Sequence, residues 1–549
     1  NIIFSILIFF ENLGYFNVRT AATALAIACF VLPSAQLALA EEAETVDDDQ
    51  TEEIVVTGIR GSLRASADYK RAADNVADFL VAEDIGKFPD QNLAEAIQRI
   101  PGVAISRMRG EGATVSIRGL GPAFLSVLVN GRTALSGGTQ SFAGNIGDHS
   151  QTRKFRFESM QAELVQQAEV YKSTQANMLE SGLAGTINIR TRRPFDNGGQ
   201  RIVAANAMVT SDELSEENGV RWSGVYSDSN ADKTLGVLVS LAGDDRSTRE
   251  DWINVVDYDL KVFNNAVGAD GNPLPPCTVR DVGAAGCGYA PRNIRSGLLT
   301  EEVERLNGNI AVQWMPNERT DVNFDYVRSW INRDHDDYQL PLRSQAGLAN
   351  GATEVHVNED NIVTYFRTAA ARPRPFPRPR IEESTSDQIG LNVNFSQSDQ
   401  LTLIFDFSHS TAHRHRFHYE SYYDVPAVPV SFDIRNSYIP VINIEQDLLD
   451  PSVYKFNYYG EGNNNADDEE TQFRFDVVYD FYDGAEIHAG VSFRTRTRFW
   501  EERSVKTGPR YKMWNDPVAY LTDVEYGELP FNNLNSGIDN AGSWPSSWL

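Results

Sequence analysis

Over residues 306–493 the chain repeatedly alternates apolar and polar residues with a period of two. That period marks strands whose successive side chains point to opposite faces. Leu306, Gly308, Ile310, Val312 and Trp314 fall on one face, with Asn307, Asn309 and Gln313 on the other. Pro316-Asn317 turns the chain, and Val322, Phe324 and Tyr326 continue the apolar face opposite Asp321, Asn323 and Asp325. A second hairpin sets Ile389, Leu391, Val393 and Phe395 against Leu401, Leu403, Phe405 and Phe407, with Asn392, Asn394, Thr402, Asp406 and Ser408 on the reverse. A third pairs Phe473, Phe475, Val477 and Tyr479 with Ile487, Val491 and Phe493. Its polar side carries Gln472, Arg474, Asp476, His488, Ser492 and Arg494.

Strands of roughly ten residues that alternate apolar with charged groups, with aromatics on the apolar face, fit membrane-spanning β-strands. A soluble sandwich also alternates. The connections discriminate between the two: 396–400 and 480–485 are short turns, whereas 244–302, 334–385 and 411–470 read as long loops. Short turns on one side and long loops on the other are the arrangement of outer-membrane barrels. Residues 74–195 read differently, as a mixed α/β unit. Asn92 is placed to cap a short helix whose face carries Leu93, Ala96, Ile97 and Ile100, and Pro101-Gly102 stops it. Strands are predicted over 103–107, 114–118, 124–129, 164–171 and 186–190, with a tight turn at Asn130-Gly131.

Composition narrows the function. The chain has 549 residues and a formal net charge of −27, which makes a phosphate backbone an unfavourable partner and excludes nucleic acid. A mean hydropathy of −0.37 is too polar for a bundle of membrane helices but suits a barrel with one wet face. Arg19, the apolar run 21–32 and Ala38-Leu39-Ala40 form a secretory signal, and an acidic linker over 41–50 follows it. Cys29 lies in that leader. Cys277 and Cys287 remain for one disulfide in an exported loop, the alternative being two free thiols. Glu53, Ile54, Val55, Val56, Thr57 and Gly58 place three β-branched residues in polar chain. They form either a first domain strand or a segment that adds to the sheet edge of a partner.

Several motifs taken together resemble the TonB-dependent outer-membrane receptors, particularly the branch of Caulobacter- and Xanthomonas-like bacteria. They are the 53–58 segment, Asp90-Gln91-Asn92-Leu93-Ala94-Glu95-Ala96, Ile100-Pro101-Gly102-Val103, Val115-Ser116-Ile117-Arg118-Gly119 and Val129-Asn130-Gly131-Arg132, with Glu180-Ser181-Gly182-Leu183-Ala184-Gly185 near the end. The resemblance covers 52–195 by motif and the rest by pattern alone. It implies an α+β plug domain inside a transmembrane antiparallel β-barrel of about 22 strands. It also implies that Glu53–Gly58 is the TonB box, pulled by a TonB-type periplasmic coupling protein. The expected organisation is a signal region over 1–40, a periplasmic linker with the box over 41–72, the plug over 73–195 and a partial barrel over 196–549. Roughly ten strands are legible before Leu549, fewer than a plugged barrel needs, so the reading frame is expected to continue.

No catalytic constellation stands out, and neither an enzyme nor a cofactor is expected. His409, His413, His415 and His418, and the run Asp334-His335-Asp336-Asp337, could bind metal but read as solvated loop residues, so no metal site is assigned. Arg118 ends a strand that the resemblance places inside the assembly, where a guanidinium needs carboxylates; it is the expected lock between plug and barrel. Arg372, Arg374, Arg378 and Arg380, interleaved with prolines, form either a stiff strut or a contact for lipopolysaccharide or an acidic ligand. The expected function is active import of a scarce ligand across the outer membrane, with lipid and lipopolysaccharide around the barrel. Tyr419, Tyr422, Tyr423, Tyr511 and Trp514 favour an oligosaccharide over an iron chelate, since aromatic faces stack on sugars. The alternatives are a passive barrel or adhesin, and a secreted carbohydrate-binding β-protein.

Overall fold

The structure is a computed structural model. It describes residues 64–507 apart from 74, 82–91, 137–153, 180–181, 264–265, 269, 276–286, 344–351 and 483–484. The first unit is built on a sheet of strands β1 (Ala77–Val81), β4 (Leu125–Val129), β5 (Arg132–Thr133), β6 (Val165–Tyr171) and β7 (Gly185–Thr191), ordered β1-β6-β7-β4-β5. Only β4 and β7 run parallel; the other neighbours are antiparallel. A separate hairpin joins β2 (Val103–Met108) to β3 (Glu111–Ile117). Helix α1 (Leu93–Ile97) packs against it, with the Asn92 side chain accepting from the N–H groups of Ala94 and Glu95. Leu93, Ala96, Ile97, Val115, Ile117, Val165, Ile187 and Ile189 make a dry core between helix, hairpin and sheet. The helix and strands stand where the sequence places them; β1 was not anticipated.

The second unit is one long antiparallel sheet. In sequence order its strands are β8 (Ile202–Ser211), β9 (Asn218–Ser229), β10 (Leu235–Val262), β12 (Cys287–Asn317), β13 (Thr320–Arg343), β17 (Arg380–Ser396), β18 (Leu401–Asp424), β21 (Lys455–Tyr482) and β22 (Ala485–Thr507). The three predicted hairpins occur, with apolar residues facing apolar residues: Val312 faces Phe324, Leu391 faces Phe407, and Phe473 faces Phe493. The two faces of the sheet are inverted relative to a soluble protein. Trp314, Leu391, Phe405, Phe407, Phe473 and Phe493 are exposed, whereas Asn307, Asn309, Asn323 and Asp325 are buried. Alternation with the apolar side outward suits a lipid-facing wall around a polar interior.

The segments expected as long loops are largely strand. β10, β12 and β21 are 28, 31 and 28 residues long and run well past the apolar band. Beyond it the apolar residues of these strands, such as Ile294, Leu298, Leu340 and Leu342, pack with the cap instead of forming a regular outward band, so the period-two signal fades while the backbone ladder continues. The remaining strands are β11 (Ala266–Val267), β14 (Glu354–Val357), β15 (Val363–Pro373), β16 (Phe376–Pro377), β19 (Val428–Asp433) and β20 (Val441–Ile444). Five of them form a cap ordered β11-β14-β15-β19-β20, attached to the wall where Leu342 of β13 pairs with Pro373 of β15. The cap has its own core around Phe366, Phe432, Val430 and Ile442.

Candidate functional site

The inner wall of the long sheet meets the first unit through buried ion pairs. Asn130-Gly131 is a two-residue turn in which both residues have positive φ, 53° and 81°, so Asn and Gly suit it. The Thr191 N–H donates to Asn130 Oδ1 at 3.0 Å, and the Gly131 N–H donates to Asn188 Oδ1 at 2.8 Å. The turn thereby aims Arg132 at the wall. Its Nη1 donates to both oxygens of Asp325 on β13 at 2.8 Å, and its Nε and Nη2 donate to the two oxygens of Asp406 on β18 at 2.9 Å. Arg132 is 1% exposed, so these bonds replace water entirely. Gly390 of β17 makes the room: a Cβ there would collide with the Arg132 guanidinium.

Three further clusters lie along the same interface. Glu111 at the start of β3 accepts from Asn92 at 2.8 Å, from Arg305 Nη1 of β12 at 2.5 Å and from Arg246 of β10 at 2.5 Å. Burial alone would raise its carboxyl; Arg305 and Arg246 overcome that and hold it down to about 2. Arg156 donates to Glu382 of β17 at 2.6 Å, and Glu158 accepts from Arg333 of β13 at 2.8 Å. Burial pushes Glu158 up despite Arg156 beside it. Arg109, in the β2–β3 turn, pairs with Glu301 of β12, which also meets His335 Nδ1 at 2.9 Å. Backbone contacts reinforce the seating: Ser329 Oγ donates to the Ser159 carbonyl at 2.6 Å and Ser386 Oγ to the Leu135 carbonyl at 2.7 Å.

The expected lock residue is not part of this interface. Arg118 has φ 53° and itself occupies the turn after β3, which throws its side chain out to solvent, and it forms no ion pair among the described residues. The ion pairs that join the two units are made instead by Arg132, Glu111, Arg156 and Arg109. Sequence reasoning missed these residues, although Val129-Asn130-Gly131-Arg132 was in view and Asp325 and Asp406 stood on the predicted polar faces. Glu53, Ile54, Val55, Val56, Thr57 and Gly58 lie outside the described residues, as does Cys277. Cys287 is buried and disulfide-bonded. The histidines do not converge. His409 and His413 meet Thr471 and Asp467 on the outer side of the wall, whereas His335 faces inward. Among the described residues, no group of three or more His, Cys, Asp or Glu side chains is arranged to hold a metal.

A compact unit locked by buried ion pairs against the polar side of an inside-out sheet is the arrangement of a plugged barrel. Residues 70–187 match the family described as TonB-dependent Receptor Plug Domain. This part of the chain is a plug domain of the TonB-dependent receptor type. It is 33% identical over 169 residues to the ferric enterobactin receptor PirA of Pseudomonas aeruginosa, a match covering 29% of this chain and 22% of that protein. The chain thus matches about a fifth of the length of this relative. Among solved structures it is similar to a variant of the ferric enterobactin receptor PfeA of P. aeruginosa bound to enterobactin, at 13% identity and a TM-score of 0.33, covering 77% of this chain and 72% of that one. It is also similar to the copper transporter OprC, at 12% identity and a TM-score of 0.33, covering 79% and 62%. The plug family comprises receptors rather than enzymes. The receptor resides in the outer membrane with its plug on the periplasmic side, and its outward apolar band faces lipid.

Proposed function

We propose that this receptor imports a scarce ligand across the outer membrane, with energy delivered through Glu53–Gly58 by a TonB-type periplasmic coupling protein. The observation that carries this reading is the seating of the plug. Arg132 bridges Asp325 and Asp406 with nearly complete burial, which fastens the plug to the wall. A passive pore or adhesin has no use for such a stopper. The ligand is an oligosaccharide in the reading that the loop aromatics favour. The ferric enterobactin named for PirA makes an iron chelate the second candidate. Tyr422 and Tyr423 bear on this choice, because both are buried, with Tyr422 stacked on Tyr458 at 4.6 Å, and so offer no open sugar platform. Tyr511 and Trp514 lie outside the described residues.

The 54–57 segment is suited to adding as a strand to a partner's sheet, where main-chain hydrogen bonds supply the affinity. Proline removes one donor and blocks a central pairing position. Val55→Pro in the full-length receptor is therefore expected to abolish uptake on intact cells while surface binding persists, and Val55→Ala is expected to be milder. A protonophore should reproduce the Val55→Pro phenotype in the unaltered receptor. Undiminished energy-dependent uptake by Val55→Pro would remove this segment from the mechanism.

A further inference from the structure

The two faces of the wall persist above the apolar band. β12 and β13 pair without a register shift from Asn293 to Trp314, so side chains keep alternating between the same two faces throughout. The face that carries Leu306, Ile310 and Trp314 on β12 is the lipid-facing one, and farther along it carries Leu298 and Ile294. On β13 the face of Val322 and Phe324 continues to Leu340 and Leu342. The other face looks into the lumen. Glu301 there holds the plug's Arg109, and Asp337 accepts from Arg378 at 3.2 Å and from Arg380 at 2.9 Å.

The cap packs on the lipid-side face and not on the luminal one. Ile294, Leu340 and Leu342 are fully buried and share one dry core with Phe366, Val430 and Phe432 of the cap. Gly288, on the same face of β12, leaves the space: a Cβ there would lie 3.0 Å from Val363 and 3.3 Å from Val357. The cap is also welded across three connections. β11 comes from the β10–β12 connection, β14 and β15 from the β13–β17 connection, and β19 and β20 from the β18–β21 connection. Ladder pairs join them, Ala266 with Val355 and Phe366 with Phe432. Arg367 of β15 adds hydrogen bonds of 2.7 and 3.0 Å to Glu445, next to β20. No connection swings by itself without breaking a ladder and wetting the shared core.

We infer that the cap is a fixed buttress on the outer flank of the mouth, and that the three connections composing it do not close over cargo. The mouth on this side is a double layer, in which cargo meets the luminal face of β12 and β13 and never the cap. This goes beyond the import reading and does not depend on it, since it concerns the shape of the entrance whatever passes through.

The test uses the full-length receptor in detergent, with single cysteines at neighbouring positions on opposite faces. Leu340→Cys lies under the cap and Gln339→Cys on the luminal face, with Ser431→Cys on the open side of β19 as the reference. A charged maleimide is expected to label Leu340→Cys at least about a hundredfold more slowly than Ser431→Cys. Phe432→Ala empties part of the shared core and should speed labelling of Leu340→Cys at least about tenfold while leaving Gln339→Cys unchanged. Phe432→Asp serves in its place if the cap withstands the smaller change. In native-state hydrogen exchange β14, β15, β19 and β20 should open with one urea dependence. A disulfide between Arg367→Cys and Ser431→Cys, which face each other across β15 and β19, should slow all four together. Protection kept by β17–β18 amides in each variant shows that the wall itself stays folded. Faster labelling of Gln339→Cys, in place of Leu340→Cys, after the Phe432 change would put the cap over the lumen and overturn the inference. So would Leu340→Cys labelling unchanged by both Phe432 variants, rapid labelling of Leu340→Cys in the otherwise unaltered receptor, or separate urea dependences for β14 and β19.

Discussion

Removing Arg132 tests whether the buried ion pairs hold the plug. In Arg132→Met the stem volume is roughly kept, but Asp325 and Asp406 lose four short bonds and face each other across a dry gap. Breaking a buried ion pair from one side costs about 3–5 kcal/mol, because the orphaned charge remains desolvated. If that cost falls on docking, the undocked plug becomes more populated by a factor between about a hundred and a few thousand. Hydrogen exchange on the full-length receptor reads this directly. Amides of β4 and the Ala134 N–H, which bonds the Val127 carbonyl, should lose protection by that factor, while β12–β13 amides keep theirs. Replacing all three charges, as Arg132→Met with Asp325→Leu and Asp406→Leu, should restore most of the protection, since a matched apolar set carries no desolvated charge. Less than a tenfold change in the single variant, or a triple variant that exchanges faster than the single, would refute the argument.

Two further outcomes follow from the same interface. Gly390→Ala places a methyl group where the Arg132 guanidinium lies, so it should mimic Arg132→Met in exchange although no charge is touched; an unchanged profile would mean that the wall yields there. The folded carboxyl of Glu111 is held at about 2, below its ordinary value near 4.5, so its contribution is fully present above about 4.5 and is lost as pH falls through about 2. Plug protection around β3 should therefore stay flat from pH 7 to 5 and decline below that range, and Glu111→Gln should flatten the acid limb; a wild-type decline already complete at pH 5 would exclude Glu111 as its cause.

The hairpins were legible because the bilayer imposes a single rule on every residue that crosses it. Lipid accepts only apolar groups, so Leu391, Phe405, Phe473 and Phe493 print the strand period into the sequence and fix register at the same time. The wall above the apolar band was read as loop for the converse reason. At Glu301, His335 and Arg380 the ladder continues, but charged residues point into the interior and no regular outward apolar band marks the period. The lock was illegible for a third reason. Arg132 lies 193 residues from Asp325 and 274 from Asp406, and nothing local distinguishes it from Arg118, which also follows a strand. What separates them is one backbone position. Arg118 occupies a left-handed turn residue and points away, whereas Arg132 follows a turn already made by Asn130 and Gly131. Proline-spaced arginines presented a related ambiguity, because an extended segment does not announce which of its sides faces the lumen.

The order of strands in the plug, β1-β6-β7-β4-β5, gives its two margins unequal mechanical duties. Among the described residues β1 is the first strand of the plug and pairs with β6 only, held at its base by the contacts of Asp78 with Lys70 and Lys172. β5, at the opposite margin, begins with Arg132 and is bolted to the wall. Tension arriving from the N-terminal side therefore meets β1 before the other described strands of the sheet. It can strip β1 from β6 rung by rung before any strain reaches the arginine. The plug is thus a ripcord and an anchor on one sheet, able to give way along one seam while the other keeps it from being drawn out of the barrel whole.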